Sequence, residues 1–271
     1  MSRASCFLDN MVLSVLYLGQ LDYATGWALQ KTLVELRHQE RIGNVLLLLE
    51  HPPVLTLGRN SSRSNILASD EMLRARGVEI HEINRGGDVT YHGPGQLVGY
   101  PIFDLRSFYP RIGAVDYVRK LEEVLIRACG DYGIRAQRIA GRTGVWTFAG
   151  GSIQEKKIAA IGVHISRGIT SHGFALNVTT DLRDFNLIIP CGISDREVTS
   201  LELEVEGSPD LENVMHAVAR YFGQVFNHQV LWLESLEDLL PDTRKNPAQD
   251  KALLIPDEVK RLRDEKESHF A

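Results

Sequence analysis

Residues 85–96 read Arg85-Gly86-Gly87-Asp88-Val89-Thr90-Tyr91-His92-Gly93-Pro94-Gly95-Gln96. Four glycines and a proline in twelve residues exclude a regular helix. They predict a loop whose backbone can approach a ligand closely. Arg85 adds a permanent cation to that loop and His92 a titratable group. A tight structural turn fits the Gly/Pro cluster equally well. Gly93, Gly95 and Gly99 miss the spacing of a dinucleotide fingerprint and no helix is expected after them, so that reading fails.

Two further segments carry groups with chemistry. Gly150-Gly151-Ser152 is followed by Lys156-Lys157-Ile158-Ala159-Ala160-Ile161-Gly162. A lysine that opens an apolar strand after a glycine-rich turn is ordinarily a solvated strand end, and its interest depends on what it faces. Ile188-Ile189-Pro190-Cys191-Gly192-Ile193 puts a cysteine between a proline and a glycine, a setting that predicts irregular backbone and a sulfur exposed at a loop. Taken alone, Cys191 fits a structural cysteine better than a catalytic one. Cys129 falls beside the apolar stripe of a helix and reads as a small buried hydrophobe, while Cys6 lies near the start of the chain. Three cysteines without a C-x-x-C spacing make neither a disulfide framework nor a zinc or redox pair.

Alternating strands and helices are predicted to hold these segments. Residues 12–18 and 45–49 are short Val/Leu-rich runs of the kind that form buried strands. Between them Leu29, Leu33 and Leu36 have helical spacing, which predicts a helix over residues 22–41. Ala114, Val118, Leu121, Leu125 and Ala128 mark a second helix, closed by Gly130 and Gly133. A third is expected over residues 209–227, with Ser208 as N-cap and Pro209 at its first position. Strands follow the second helix at residues 144–148, 157–165 and 171–178. The interleaving favours an α/β layered domain over residues 1–240. Residues 241–271 hold three prolines and fourteen charged residues and are expected to be a peripheral tail or small cap.

Composition narrows the function. With 271 residues, 44% apolar and 24% charged, the chain has ordinary globular composition. Its net charge of −5 lacks the basic surplus that nucleic-acid binding needs. The apolar stretch at residues 11–18 is too short to span a bilayer and leads to no signal-type cleavage site, so a cytoplasmic protein without membrane association is expected.

Together the three segments resemble the octanoyltransferase family, also called lipoate–protein ligase B, which moves an octanoyl group from acyl carrier protein to lipoyl domains. Residues 85–96 are similar to the family's R-G-G-x-x-T-[FY]-H-G-P-G-Q signature at every position. His51-Pro52-Pro53-Val54-Leu55-Thr56-Leu57-Gly58-Arg59 resembles its upstream strand–turn element. Lys157-Ile158-Ala159-Ala160-Ile161-Gly162, Gly173-Phe174-Ala175-Leu176-Asn177 and Pro190-Cys191-Gly192 resemble its remaining motifs, in order. The likeness covers residues 13–225 and leaves the tail unassigned. It implies a central mixed β-sheet flanked by helices, the catalytic fold of biotin and lipoate protein ligases. It also implies Cys191 as the residue that carries the acyl group as a thioester and Lys157 as its partner. The implied substrate-binding positions are Arg85, Gly86, Gly87, Asp88, Val89, Thr90, Tyr91 and His92, then Ala160, Ile161 and Gly162, then Gly173, Phe174 and Ala175. No cofactor and no metal are implied. The implied partners are acyl carrier protein as donor, with lipoyl domains of 2-oxoacid dehydrogenase complexes and the glycine cleavage H protein as acceptors.

Chemistry agrees with that assignment. A thioester is already activated, so transfer to a thiol is near balance and onward transfer to an amine runs downhill. A free cysteine near pKa ~8.5 is mostly protonated at neutral pH, and a lysine ammonium beside it favours the reactive thiolate. Three rivals stand beside this reading: an ATP-dependent lipoate or biotin ligase, a thioester hydrolase using Cys191 with His92, and a non-catalytic carrier-binding protein. Arg135, Arg138 and Arg142, three arginines in eight residues with no acid among them, are a candidate patch for an acidic carrier or else a solvated face.

Overall fold

The computed structural model describes residues 11–148, 155–189 and 197–240. Its first two strands, β1 (Val12–Gln20) and β2 (Asn44–Glu50), are parallel, and helix α1 (Tyr23–His38) crosses between them. The Asp22 carboxylate caps α1 by accepting from the Thr25 N–H at 2.8 Å. β2 is apolar from Val45 to Leu49 because both its faces are covered. Val45, Leu47 and Leu49 pack with Leu29, Leu33 and Leu36 of α1, and Leu46 and Leu48 join a second cluster. This alternation is the two-residue period of a strand.

The next elements leave the main sheet. β3 (Val54–Leu57), the short helix α2 (Asp70–Ala75), β4 (Glu79–Glu82) and β5 (Val89–His92) give a three-stranded sheet in the order β4-β3-β5. β5 corrects the expectation of a loop throughout residues 85–96. Val89, Thr90 and Tyr91 are strong strand formers, and antiparallel pairing with β3 outweighs the glycines on either side.

The main sheet is completed by β6 (Gln96–Ile102), β7 (Ala136–Ile139), β8 (Arg142–Thr147), β9 (Lys156–Ser166), β10 (Ile169–Asn177), β11 (Glu197–Val198) and β12 (Gln229–Trp232). Among the described residues its order is β12-β1-β2-β6-β10-β9-β8-β7, with β11 beside β9. Parallel and antiparallel pairs occur together, so the sheet is mixed, as the resemblance implied. Helices α3 (Ala114–Gly130), α4 (Leu201–Glu204) and α5 (Leu211–Phe226) accompany it, and α3 and α5 cover the face opposite α1. Tyr117, Leu121, Leu125, Val218 and Phe222 are fully buried there, as is Cys129. Each large apolar side chain so buried contributes roughly 1.5–3 kcal/mol.

Two expectations need correction. α5 starts at Leu211, and its cap is Asp210, whose carboxylate accepts from the Glu212 N–H, so Ser208 and Pro209 precede the helix. A carboxylate at the N-terminus also meets the helix dipole favourably, which a serine does not. Of the three arginines Arg135, Arg138 and Arg142, Arg135 is exposed and the other two are ion-paired. Arg138 bonds Glu122 at 3.1 Å and Glu123 at 2.7 Å, and Arg142 pairs with Glu155. The acids come from α3 and from the approach to β9, where a sequence window does not see them. Residues 241–271, expected to be a tail or cap, lie outside the described residues.

Candidate active site

A cavity of about 290 Å³ opens between the two sheets. Arg85, Gly86, Gly87, Asp88, Val89, Thr90 and His92 form one wall. Lys157, Ala160, Ile161 and Gly162 of β9, with Gly173, Phe174 and Ala175 of β10, form another. The register Gly173↔Gly162, Phe174↔Ile161, Ala175↔Ala160 brings the two sequence-distant motifs side by side. The Gly86 N–H donates to the Val163 carbonyl at 2.9 Å and fastens the glycine-rich segment to β9. At Gly162 a Cβ would stand 2.8 Å from the Gly86 carbonyl oxygen, so any side chain there would force the walls apart. Tyr91 is the predicted residue that does not reach the cavity. Its ring packs on Phe185, and its hydroxyl donates to Asp184 at 2.8 Å.

The cavity's inner end is polar and tightly bonded. Arg85 donates through Nη2 to the Thr56 carbonyl at 2.7 Å and to Thr56 Oγ1 at 2.9 Å. His92 Nδ1 donates to Gln96 Oε1 at 2.7 Å; the Gln96 amide donates to Asn177 Oδ1, and the Asn177 amide to the Thr199 carbonyl. Because Gln96 Oε1 only accepts, His92 carries its proton on Nδ1 and turns a lone pair on Nε2 outward. His51 Nδ1 donates to the Leu21 carbonyl, so its Nε2 accepts from the Tyr100 hydroxyl at 2.7 Å. His172, in the left-handed region at φ +55°, bonds Asn84 Oδ1 through Nε2 at 2.9 Å.

All three histidines are held neutral. Burial is the main cause, pulling His51 down to about 4 and His92 and His172 to about 3, with Arg85 opposing charge on the last two. The folded pKa values lie below the ordinary value of about 6.5, so the unfolded chain binds more protons as pH falls. Their stabilising effect is complete above pH ~6.5 and is lost on acidification towards pH 3–4, at up to about 1.4 kcal/mol per pH unit for each residue. Thermal unfolding followed between pH 7 and pH 4 should therefore show a falling midpoint, and His172→Gln should flatten the profile. A midpoint that holds constant over this range would contradict burial as neutral imidazoles.

Lys157 stands at the start of β9 with Trp146 opposite it in β8 and Val198 opposite it in β11. Its ammonium lies 4.7 Å from the Trp146 ring centre. The Thr199 N–H donates to the Lys157 carbonyl at 2.9 Å, which ties the strand after the cysteine motif to this lysine. Cys191, with Pro190 and Gly192, lies outside the described residues, as does Gly150-Gly151-Ser152. The described chain stops at Ile189, whose N–H donates to the Asn65 carbonyl at 2.7 Å, and resumes at Glu197 beside Lys156. Cys129, by contrast, is buried in the core, where desolvation pushes its thiol up to about 12. Among the described residues no cluster of His, Cys, Asp and Glu side chains could hold a metal ion, and no helix is long and apolar enough to cross a membrane.

Several lining residues were not predicted. Gln96 and Asn177 sit inside the quoted motifs, so the signal for them was present. Trp146 lies in a predicted strand but carries no mark of its partner. Tyr23, Tyr100 and His172 come from α1, β6 and β10, and only the packing of those elements brings them together.

Residues 22–223 match the lipoyl protein ligase A/B catalytic domain family. The octanoyltransferase of Acidobacterium capsulatum is 73% identical over 239 residues, covering 86% of this chain and 97% of that relative. The octanoyltransferase of Koribacter versatilis is 58% identical, covering 94% of this chain and 98% of its own length. This chain belongs to the octanoyltransferase family. It is therefore an acyltransferase. Solved structures agree on the fold. A bi-partite lipoate protein ligase from Thermoplasma acidophilum superposes with a TM-score of 0.65 at 16% identity, covering 84% of this chain and 89% of that one. A lipoate-protein ligase A bound with ATP gives 0.63 at 15% identity, covering 84% and 92%. The mixed sheet flanked by helices is thus the catalytic fold of lipoate protein ligases.

Proposed function

We propose that this enzyme transfers an octanoyl group from octanoyl-acyl carrier protein to a specific lysine of lipoyl domains, by way of a thioester on Cys191, as the first step of protein lipoylation. The observation that carries the reading is Lys157 in the wall of a largely apolar cavity built from the family's own motifs. The Cys191 thiolate attacks the donor's thioester carbonyl, and the tetrahedral intermediate collapses with the carrier's sulfur leaving as a thiol that takes its proton from the Lys157 ammonium. The acceptor amine then attacks the new thioester, loses a proton to the Lys157 amine, and leaves as the amide while Cys191 departs as the thiolate beside the restored Lys157 ammonium. Lys157 serves both halves: as an ammonium it favours the thiolate, and as an amine it takes the acceptor's proton. The unbranched acyl chain lies against the backbone at Ala160, Gly162 and Gly173, where small residues leave room. His92 Nε2 faces the same space as a hydrogen-bond acceptor, and Arg85 through Thr90 hold the opposite side of the substrate. The acceptors are lipoyl domains of 2-oxoacid dehydrogenase complexes and the glycine cleavage H protein. The reaction uses no cofactor and takes place in the cytoplasm, carried out by residues 1–240.

The test is intact-mass measurement after mixing the enzyme with octanoyl-loaded carrier protein in the absence of nucleotide. The expected result is a gain of one octanoyl group that hydroxylamine removes, followed, on adding a lipoyl domain, by an octanoyl amide that hydroxylamine leaves in place. A requirement for ATP and free octanoate would replace this reading with a ligase. Release of octanoate faster than acylation of the domain would replace it with a hydrolase.

A further inference from the structure

Trp146 and Lys157 are a directly opposed cross-strand pair, and both face the cavity. The lysine ammonium is 4.7 Å from the indole ring centre, inside the range at which a cation is drawn to an aromatic face. The indole is only 3% exposed, so little water screens the pair from that side. The strand that carries the ring is also fixed in place. The buried Glu122 carboxylate accepts from the Gly144 N–H at 3.2 Å and fixes β8 to α3. Gly144, at φ +121°, lets β8 run so close to β9 that a Cβ there would stand 2.7 Å from the Ala159 carbonyl oxygen. Another cation near the ring, Arg142, is 6.0 Å away and is paired with Glu155.

We propose that Trp146 is a positioning residue whose indole face holds the Lys157 ammonium in the cavity wall, at the place from which it acts on the acyl-carrying thiol. A lysine has four rotatable bonds and a compact, strongly hydrated head, so its charge is useful to a neighbour only when something fixes where it points. Indole offers the strongest π face among the side chains, phenyl a weaker one and an aliphatic group none. The proposal rests on the role given above to Lys157.

The experiment follows alkylation of Cys191 by iodoacetamide against pH, quantified on the Cys191 peptide. It compares the unaltered enzyme with Trp146→Leu, Trp146→Phe, Lys157→Ala and the Trp146→Leu/Lys157→Ala double variant. Trp146→Leu should move the profile up by about half to one pH unit, about three- to tenfold slower alkylation at pH 7. Trp146→Phe should move it less, and the double variant should match Lys157→Ala alone. Equal shifts for Leu and Phe would reduce Trp146 to filling space, and additive shifts in the double variant would separate it from Lys157. An unshifted profile for Trp146→Leu would overturn the proposal, whereas an unshifted profile for Lys157→Ala would overturn the reading of Lys157 itself. A second measurement does not depend on the thiol. The reductively ¹³C-methylated Lys157 amine should give an NMR signal displaced by the indole ring current, lost in Trp146→Leu. A signal unchanged by that substitution means that the indole does not hold the amine.

Discussion

Replacing Lys157 by alanine is expected to slow octanoyl transfer about 10²–10⁴-fold, the range usual for loss of a general acid–base group. The side chain is half-buried at a strand end, so the fold should survive and the loss should appear in turnover. Lys157→Arg separates the two tasks proposed for the lysine. Arginine keeps the cation that favours the thiolate, so alkylation of Cys191 at pH 7 should recover; it does not deprotonate, so transfer to the acceptor should stay low. Cys191→Ala should abolish both the acyl adduct and transfer. Cys129→Ala is the matched control, because its thiol is buried and pushed up to about 12, and turnover should remain near normal. Multiple turnovers by Cys191→Ala, or full transfer by Lys157→Arg, would end the mechanism as drawn.

The second large effect is on stability. Arg138→Glu should cost roughly 3 kcal/mol, the lower part of the range for breaking a buried ion pair, because Arg119 still pairs with Glu122. Glu122 is completely buried and receives Arg119 at 2.7 Å, Arg138 at 3.1 Å and the Gly144 N–H at 3.2 Å. Charge reversal sets a new acid against it. For a domain of this size the thermal midpoint should fall by about 6–12 °C. At temperatures near the new midpoint, turnover with a small acyl thioester and with the carrier should fall together. A normal midpoint with a raised KM for the carrier alone would restore Arg138 to a docking surface.

That reversal shows where sequence reading stops. Arg138 and Arg142 stand in a stretch without acids, yet their partners Glu122, Glu123 and Glu155 arrive from neighbouring elements. Local signals fared better. The apolar stripe of α3 and the Val/Leu run of β2 gave those elements nearly residue for residue, since each is buried in the pattern its own period dictates. β5 was hidden because three strand-forming residues were outweighed by surrounding glycines, and its formation depends on β3, more than thirty residues earlier. The candidate site divides in the same way. Motif residues such as Gly162 and Gly173 were legible as candidates for a binding wall, and both line the cavity. The interior of His51, Tyr100 and His172 was not, because no short window contains it.

The sheet's topology also has a consequence for synthesis. β1 pairs with β2 on one side and with β12 on the other, Val12 against Gln229. A ribosome adding about 5–20 residues per second therefore leaves the outer edge of β1 without its partner for roughly 10–40 s. Every nascent chain passes through a stage in which one row of backbone donors and acceptors beside Leu13 and Val15 is open to another chain. The short β12 closes that edge at the end of the fold, so shortening the chain before Gln229 should trade soluble enzyme for aggregate even though no cavity residue is removed.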